Sequence, residues 1–172
     1  MPSRKVLRRA ARRVDRAMEL FLGAAERLRR GAGRESGDDA VARQAMIEAW
    51  AVQLQALLEF FHPTAGSRSD TILAEQYFRL PDAWTRRLPR LTAKQRRRRT
   101  AQRDAIASLS YRRRARTPGW TERDSRLIEL RIRLFLSLLP ARRRRWFPLA
   151  ARRLSAQIDL LDLIREPARA SD

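Results

Sequence analysis

The chain has 172 residues, with 39 basic against 19 acidic side chains and a formal net charge of +20. That length suits one domain, and the 44% of hydrophobic residues suffices for one core. With no cysteine, disulfides and thiolate metal sites are excluded, and a single histidine, His62, argues against a histidine-based zinc site.

Lys5 and Lys94 are the only lysines, so nearly all the positive charge is arginine. A GC-rich genome explains arginine in place of lysine. It does not explain the excess of base over acid, which points to a polyanion partner, either nucleic acid or an anionic membrane surface.

Helical spacing runs through most of the chain, and no segment shows sustained strand-like alternation. The opening MPSRKVLRRAARRVDRA is basic and amphipathic, unlike a secretory leader. A first helix is expected from about Arg4 to Arg30, with Leu7, Ala10, Val14, Ala17, Met18, Phe21, Ala24, Ala25 and Leu28 on one face. Arg8, Arg12 and Arg16 follow another face, where like charges repel by roughly a few tenths of a kcal/mol per pair. The simplest account is a solvated face with Asp15 and Glu19 as nearby acids.

The turn GAGRESGDD follows, and Asp38 or Asp39 is expected to cap a second helix that Pro63 stops after Phe61. Its inward stripe is Ala42, Met46, Trp50, Leu54, Leu57, Leu58 and Phe61, with Glu48, Gln55 and Glu59 opposite. His62 at its end suits a cap for the last carbonyls. Ser69 or Asp70 can cap a short helix, TILAEQYF. Thr92 and Gln95 form a capping box opening a third long helix, which Pro118 and Gly119 stop. Thr121 and Asp124 cap the next, whose apolar residues include Leu127, Leu130, Ile132, Leu134, Phe135, Leu138 and Leu139, and Pro140 stops it. Leu134 to Pro140 is the most apolar stretch, far short of the roughly 20 residues that span a bilayer. A last helix starts near Leu149.

Acids outnumber bases from Arg34 to Trp84, whereas from Thr85 to Arg116 Asp104 is the only acid. This asymmetry favours one basic surface. The densest arginine clusters are Arg96 to Arg99 and Arg142 to Arg145. Tyr111 precedes Arg112, Arg113 and Arg114, and arginine interleaved with aromatics suits single-stranded nucleic acid. Trp146 and Phe147 read better as core anchors at an element end. No short catalytic motif is present, and neither Asp159 with Asp162 nor Asp38 with Asp39 makes a convincing acid–base pair.

The stretch IEAWAVQLQALLEFFHPTAGSRSDTILAEQYF, then RDAIASLSYRR, then Gly119 and Trp120, resembles a group of small bacterial helical proteins of the HEPN-like class. The likeness covers roughly residues 41 to 122. It rests on Leu57, Phe60 and Phe61, on Asp70, Ala74 and Tyr77, and on Ile106, Ala107, Leu109, Ser110, Tyr111 and Arg113, with Thr71 where the family has a second acid. The resemblance implies a four-helix up-down bundle, often dimeric. Its active members cleave RNA without metal, arginine holding the phosphate and histidine moving the proton. The matching positions here are Arg103 and Ser108, and serine has no titratable nitrogen to replace histidine. A second family histidine and arginine fall on Gln53 and Gln55. The resemblance therefore implies a member without nuclease chemistry.

The expected architecture is all-α: an antiparallel up-down bundle of four long helices plus a C-terminal helix and a short insert. It forms a single domain over residues 1–172, with 165–172 a frayed tail, in the cytoplasm and without membrane insertion, cofactor or metal. The expected function is binding of RNA or another polyanion through Arg96, Arg97, Arg98, Arg99, Arg103, Arg112, Arg113 and Arg114, with Tyr111 stacking a base. One alternative is a structural protein, a homodimer or a subunit of a regulatory or defence complex, with the second helix as dimer face. Another is a metal-independent ribonuclease.

Overall fold

The first helix forms where the apolar spacing predicts it. In a computed structural model, which describes residues 2–31, 37–62, 72–80, 84, 86–88, 91, 93, 96, 97, 100 and 121–155, α1 spans Arg4–Arg30. The Ser3 hydroxyl starts it by accepting from the Val6 backbone N–H at 3.3 Å, one of the donors every helix start leaves open. At the far end the Gly31 N–H returns to the Arg27 carbonyl at 2.9 Å.

Helix α2 spans Gly37–Phe61. Asp38 and Asp39 therefore stand on helical backbone inside its first turn rather than before it. A 3-10 turn at Ala74–Tyr77 is all that forms of the expected TILAEQYF helix among the described residues. Ser69 and Asp70 lie outside those residues. Helix α3 spans Glu122–Leu138 and is capped as expected: the Thr121 hydroxyl accepts from the Asp124 N–H at 3.3 Å and donates to the Asp124 carboxylate at 2.7 Å. A single turn, α4 (Ala141–Arg144), follows Pro140. A terminal helical segment opens at Pro148 and is described over residues 148–155. The expected third long helix falls largely outside the described residues, although the backbone is helical at 93, 96, 97 and 100. Among the described residues there is no strand, so the chain is all-α. None of the described helices is long and apolar enough to cross a membrane.

Helix α1 packs along α2, and both rest on α3. The α1 stripe is turned slightly from the expected one. Ala11 and Leu22 are fully buried, while Ala10, Val14 and Ala17 lie half-buried at its edge. On α2 the outermost expected residue, Ala42, is exposed, because this helix meets the core only from Met46 onward. On α3, Ile128 and Leu136 are buried, and Leu130 faces out at 57% exposure.

The core centres on Phe135. Its ring meets those of Phe60, Phe61, Tyr77, Phe78, Trp84 and Phe147 edge-on, at centroid separations of 5.2 to 5.9 Å. Edge-on contacts set the positive rim of one ring against the negative face of the next. The 3-10 turn matters because it delivers Tyr77 and Phe78 to this cluster. The Tyr77 hydroxyl donates to the Leu7 carbonyl at 3.0 Å, which fastens the insert to the start of α1. Burial pushes the Tyr77 phenol well above its ordinary range. Asp15 and Arg131 are the charged exceptions in this interior, at 3% and 1% exposure.

Truncating the hub, Phe135→Ala, is expected to cost about 3–5 kcal/mol, while Tyr77→Phe, which removes one hydrogen bond, costs about 0.5–1.5 kcal/mol. Urea unfolding of both variants measures the difference; equal losses would contradict the ranking.

Candidate polyanion interface

Arginine is spread along all of α1, but its surroundings divide the helix in two. In the second half each acid is engaged. Arg16 pairs with Glu19, Arg30 with Glu26, and Arg29 with Glu129 of α3. Arg153 from the terminal segment also reaches Glu26, at 3.0 Å. It crosses Gly23 on the way, where a Cβ would lie 3.0 Å from its Nη2, so the lack of a side chain at 23 leaves room for the bridge.

The first half is different. Arg4, Lys5, Arg8, Arg9, Arg12 and Arg13 are exposed, and none has a carboxylate in ion-pair contact among the described residues. The first turn carries no acid. Cations at a helix start oppose its positive end, and those four apart repel one another, so this half of α1 is electrostatically unfavourable by itself. A groove of about 570 Å³ follows Arg4, Lys5, Arg8, Arg9 and Arg12. A second cleft, about 370 Å³, shares Arg8 and Arg12 and is completed by Asp15, Arg145, Trp146, Pro148 and Leu149. The two make one continuous basic face.

Asp15 is not the surface acid the sequence suggests. It is buried, and its two oxygens accept from the backbone N–H groups of Leu149 and Ala150 at 3.1 and 2.9 Å. It therefore caps the helical segment that opens at Pro148. Phe147, just before that proline, offers no side-chain acceptor, so the cap comes from α1. Burial raises the Asp15 carboxyl above its ordinary value, the Ala150 and Leu149 N–H groups pull it down, and Glu19 adds to the rise; the net direction is upward. Asp15 stands at the spacing of Leu7, Ala11, Met18 and Leu22, a position in the buried stripe that could have revealed it.

The 142–145 cluster is also divided. Arg143 donates to the Tyr77 carbonyl at 2.5 Å, and Arg144 donates to the Ser137 and Leu139 carbonyls at 3.0 and 3.2 Å, closing the end of α3. Arg142 and Arg145 are exposed. Phe147 is a core ring, and Trp146 is half-buried, packed against the core while also lining the cleft.

His62 stands at the end of α2 as expected and also meets a partner on α3. Its backbone N–H closes on the Leu58 carbonyl at 2.9 Å, but its ring Nε2 accepts from Arg131 Nε at 2.6 Å. Arg131 also donates to the Leu127 carbonyl at 3.1 Å, and burial pushes its guanidinium down to about 10. The sequence did not single out Arg131, although it lies four residues before Phe135 on the buried side of α3.

Of the residues expected to bind phosphate, Arg96 and Arg97 are exposed on helical backbone. Arg98, Arg99, Arg103, Ser108, Tyr111, Arg112, Arg113 and Arg114 lie outside the described residues. Gln53 and Gln55 are half-buried on α2, and Gln55 donates to Glu59 at 3.2 Å. Compared with models of protein families, with curated proteins and with solved structures, the chain matches none.

Asp15→Ala strands two backbone N–H groups and is expected to cost about 1–3 kcal/mol in chemical unfolding. A carboxyl raised by folding stabilises most in acid, below its unfolded value, and that contribution fades as the pH rises through the raised value. Wild type should therefore lose stability relative to Asp15→Asn as pH climbs through the carboxylate range. Parallel melting curves across pH would contradict this.

Proposed function

We propose that the protein binds RNA through an arginine-rich helical surface and does not cleave it. The carrying observation is the first half of α1, where six exposed cations from Arg4 to Arg13, five of them lining connected grooves, have no acidic partner among the described residues. Elsewhere on α1 both Glu19 and Glu26 are matched to bases, so on this helix the stretch without an acidic ion-pair partner is its first half. A polyanion supplies the missing negative charge and relieves the repulsion along the helix. Binding also releases counterions from the nucleic acid, which is the main source of such affinity.

The absence of cleavage rests on sequence. Ser108 stands where the HEPN-like pattern has histidine, and Gln53 and Gln55 stand where it has histidine and arginine. Phosphate contacts from Arg96 to Arg99, Arg103 and Arg112 to Arg114 and the four-helix up-down order belong to the same proposal.

A homodimer through α2 is the second reading. It is favoured by Val41 and Val52, exposed at 76% and 50% on the outer side of that helix. Sedimentation distinguishes the readings: a dimer indifferent to RNA favours the second.

The log of RNA affinity should fall linearly with the log of salt concentration. Arg9→Gln and Arg13→Gln, both remote from the core, should each lower the slope by about 0.7 for a single strand. Affinity indifferent to salt would end the proposal. Labelled RNA should remain intact with wild type and with Arg103→Ala alike; cleavage that Arg103→Ala abolishes would restore the nuclease reading.

A further inference from the structure

The cleft at the end of the basic face combines charge with an aromatic surface. Arg8 and Arg12 stand one helical turn apart on α1, and Arg145 and Trp146 complete the wall from the turn before Pro148. The cleft's volume, about 370 Å³, falls in the range of about 300–1,000 Å³ typical of small-ligand sites. Trp146 is half-buried, packed against the core, and also lines the cleft. Neither Arg8, Arg12 nor Arg145 has an ion-pair partner among the described residues. Asp15, the one acid in the lining, is occupied by the Leu149 and Ala150 N–H groups.

We infer that this cleft takes one nucleotide of single-stranded RNA, its base against the Trp146 indole and its flanking phosphates on Arg8, Arg12 and Arg145. The inference rests on the RNA-binding reading of α1 and adds a choice of substrate to it. A groove of arginines alone accepts duplex and single strand on similar terms. A half-recessed ring does not, because a paired base is already stacked on its neighbours, whereas an unpaired one can turn out to meet an aromatic face. Asp15 is a positioning residue here. It touches no nucleotide and ties α1 to the segment that carries Arg145 and Trp146.

The test titrates the full chain with single-stranded RNA and with duplex RNA of the same sequence, following affinity and tryptophan emission. Wild type, Trp146→Leu and Trp146→Phe are compared. The single strand is expected to quench wild-type emission, and Trp146→Leu to lose that quenching together with roughly 5- to 100-fold of single-strand affinity. Trp146→Phe keeps a ring and should recover most of the affinity, while duplex binding stays the same in all three. If Trp146→Leu loses its helical circular dichroism, Trp146→Phe and the exposed Arg145→Gln decide: a single-strand-selective loss in Arg145→Gln with protected emission in Trp146→Phe supports the cleft, and its absence overturns it. Salt-dependent binding that Trp146→Leu leaves unchanged overturns the cleft but not the α1 face. Salt-independent binding of both RNAs, or preference for phosphatidylserine vesicles over either, overturns both.

Discussion

The backbone N–H groups of Leu149 and Ala150 open a helix whose preceding residues, Phe147 and Pro148, carry no side-chain oxygen. Asp15 accepts from both, and much of the molecule follows from that arrangement. It holds the terminal segment against α1, so that Phe147 can enter the ring cluster around Phe135. It also sets Arg145 and Trp146 beside Arg8 and Arg12. Desolvating a carboxylate is costly, and the two charge-assisted hydrogen bonds offset that cost only in part, which is why the Asp15 carboxyl sits above its ordinary range. The fold accepts that residual cost to place an acceptor where no local residue offers one.

The described arginines differ in their surroundings, some bonded to the fold and others exposed without a carboxylate partner. Arg29, Arg126 and Arg153 complete ion pairs, Arg143 and Arg144 close backbone carbonyls, and Arg131 lies wholly inside. These residues would be retained by a protein with no anionic ligand. Arg4, Arg8, Arg9, Arg12 and Arg13 do no comparable work for the fold. Their clustering on one stretch of helix, against the direction of its dipole, is the charge that the proposed polyanion would offset.

The helices themselves were legible because their signals are local. The three- and four-residue steps of α1, the Thr121–Asp124 cap and the stop at Pro140 all act within a turn or two of chain. The errors have another origin. Asp15 reads by residue type as a surface acid, and Arg131 is not singled out by sequence, although both stand at buried positions of their stripes. Their partners, 134 and 69 residues away, leave no local mark. The motif residues Leu57, Phe60, Phe61, Ala74 and Tyr77 all prove to be core. They mark how a helix end and a short insert pack around an aromatic hub. The basic face was expected after Thr85, where arginine is densest in sequence. Most of those arginines lie outside the described residues, Arg96 and Arg97 are exposed, and a further exposed run without carboxylate partners among the described residues stands on α1.

Helix α1 makes its decisive contacts with residues far along the chain. Leu7 receives Tyr77 from 70 residues away, Arg29 meets Glu129 across 100, and Asp15 meets Leu149 across 134. Contacts of such separation carry a large loop-closure entropy and form late in folding. During synthesis α2 follows α1 directly and can pack along it, whereas the partners of Leu7, Arg29 and Asp15 come later. A chain interrupted before the 148–155 segment would leave the Asp15 carboxylate of α1 without the Leu149 and Ala150 donors that compensate its burial.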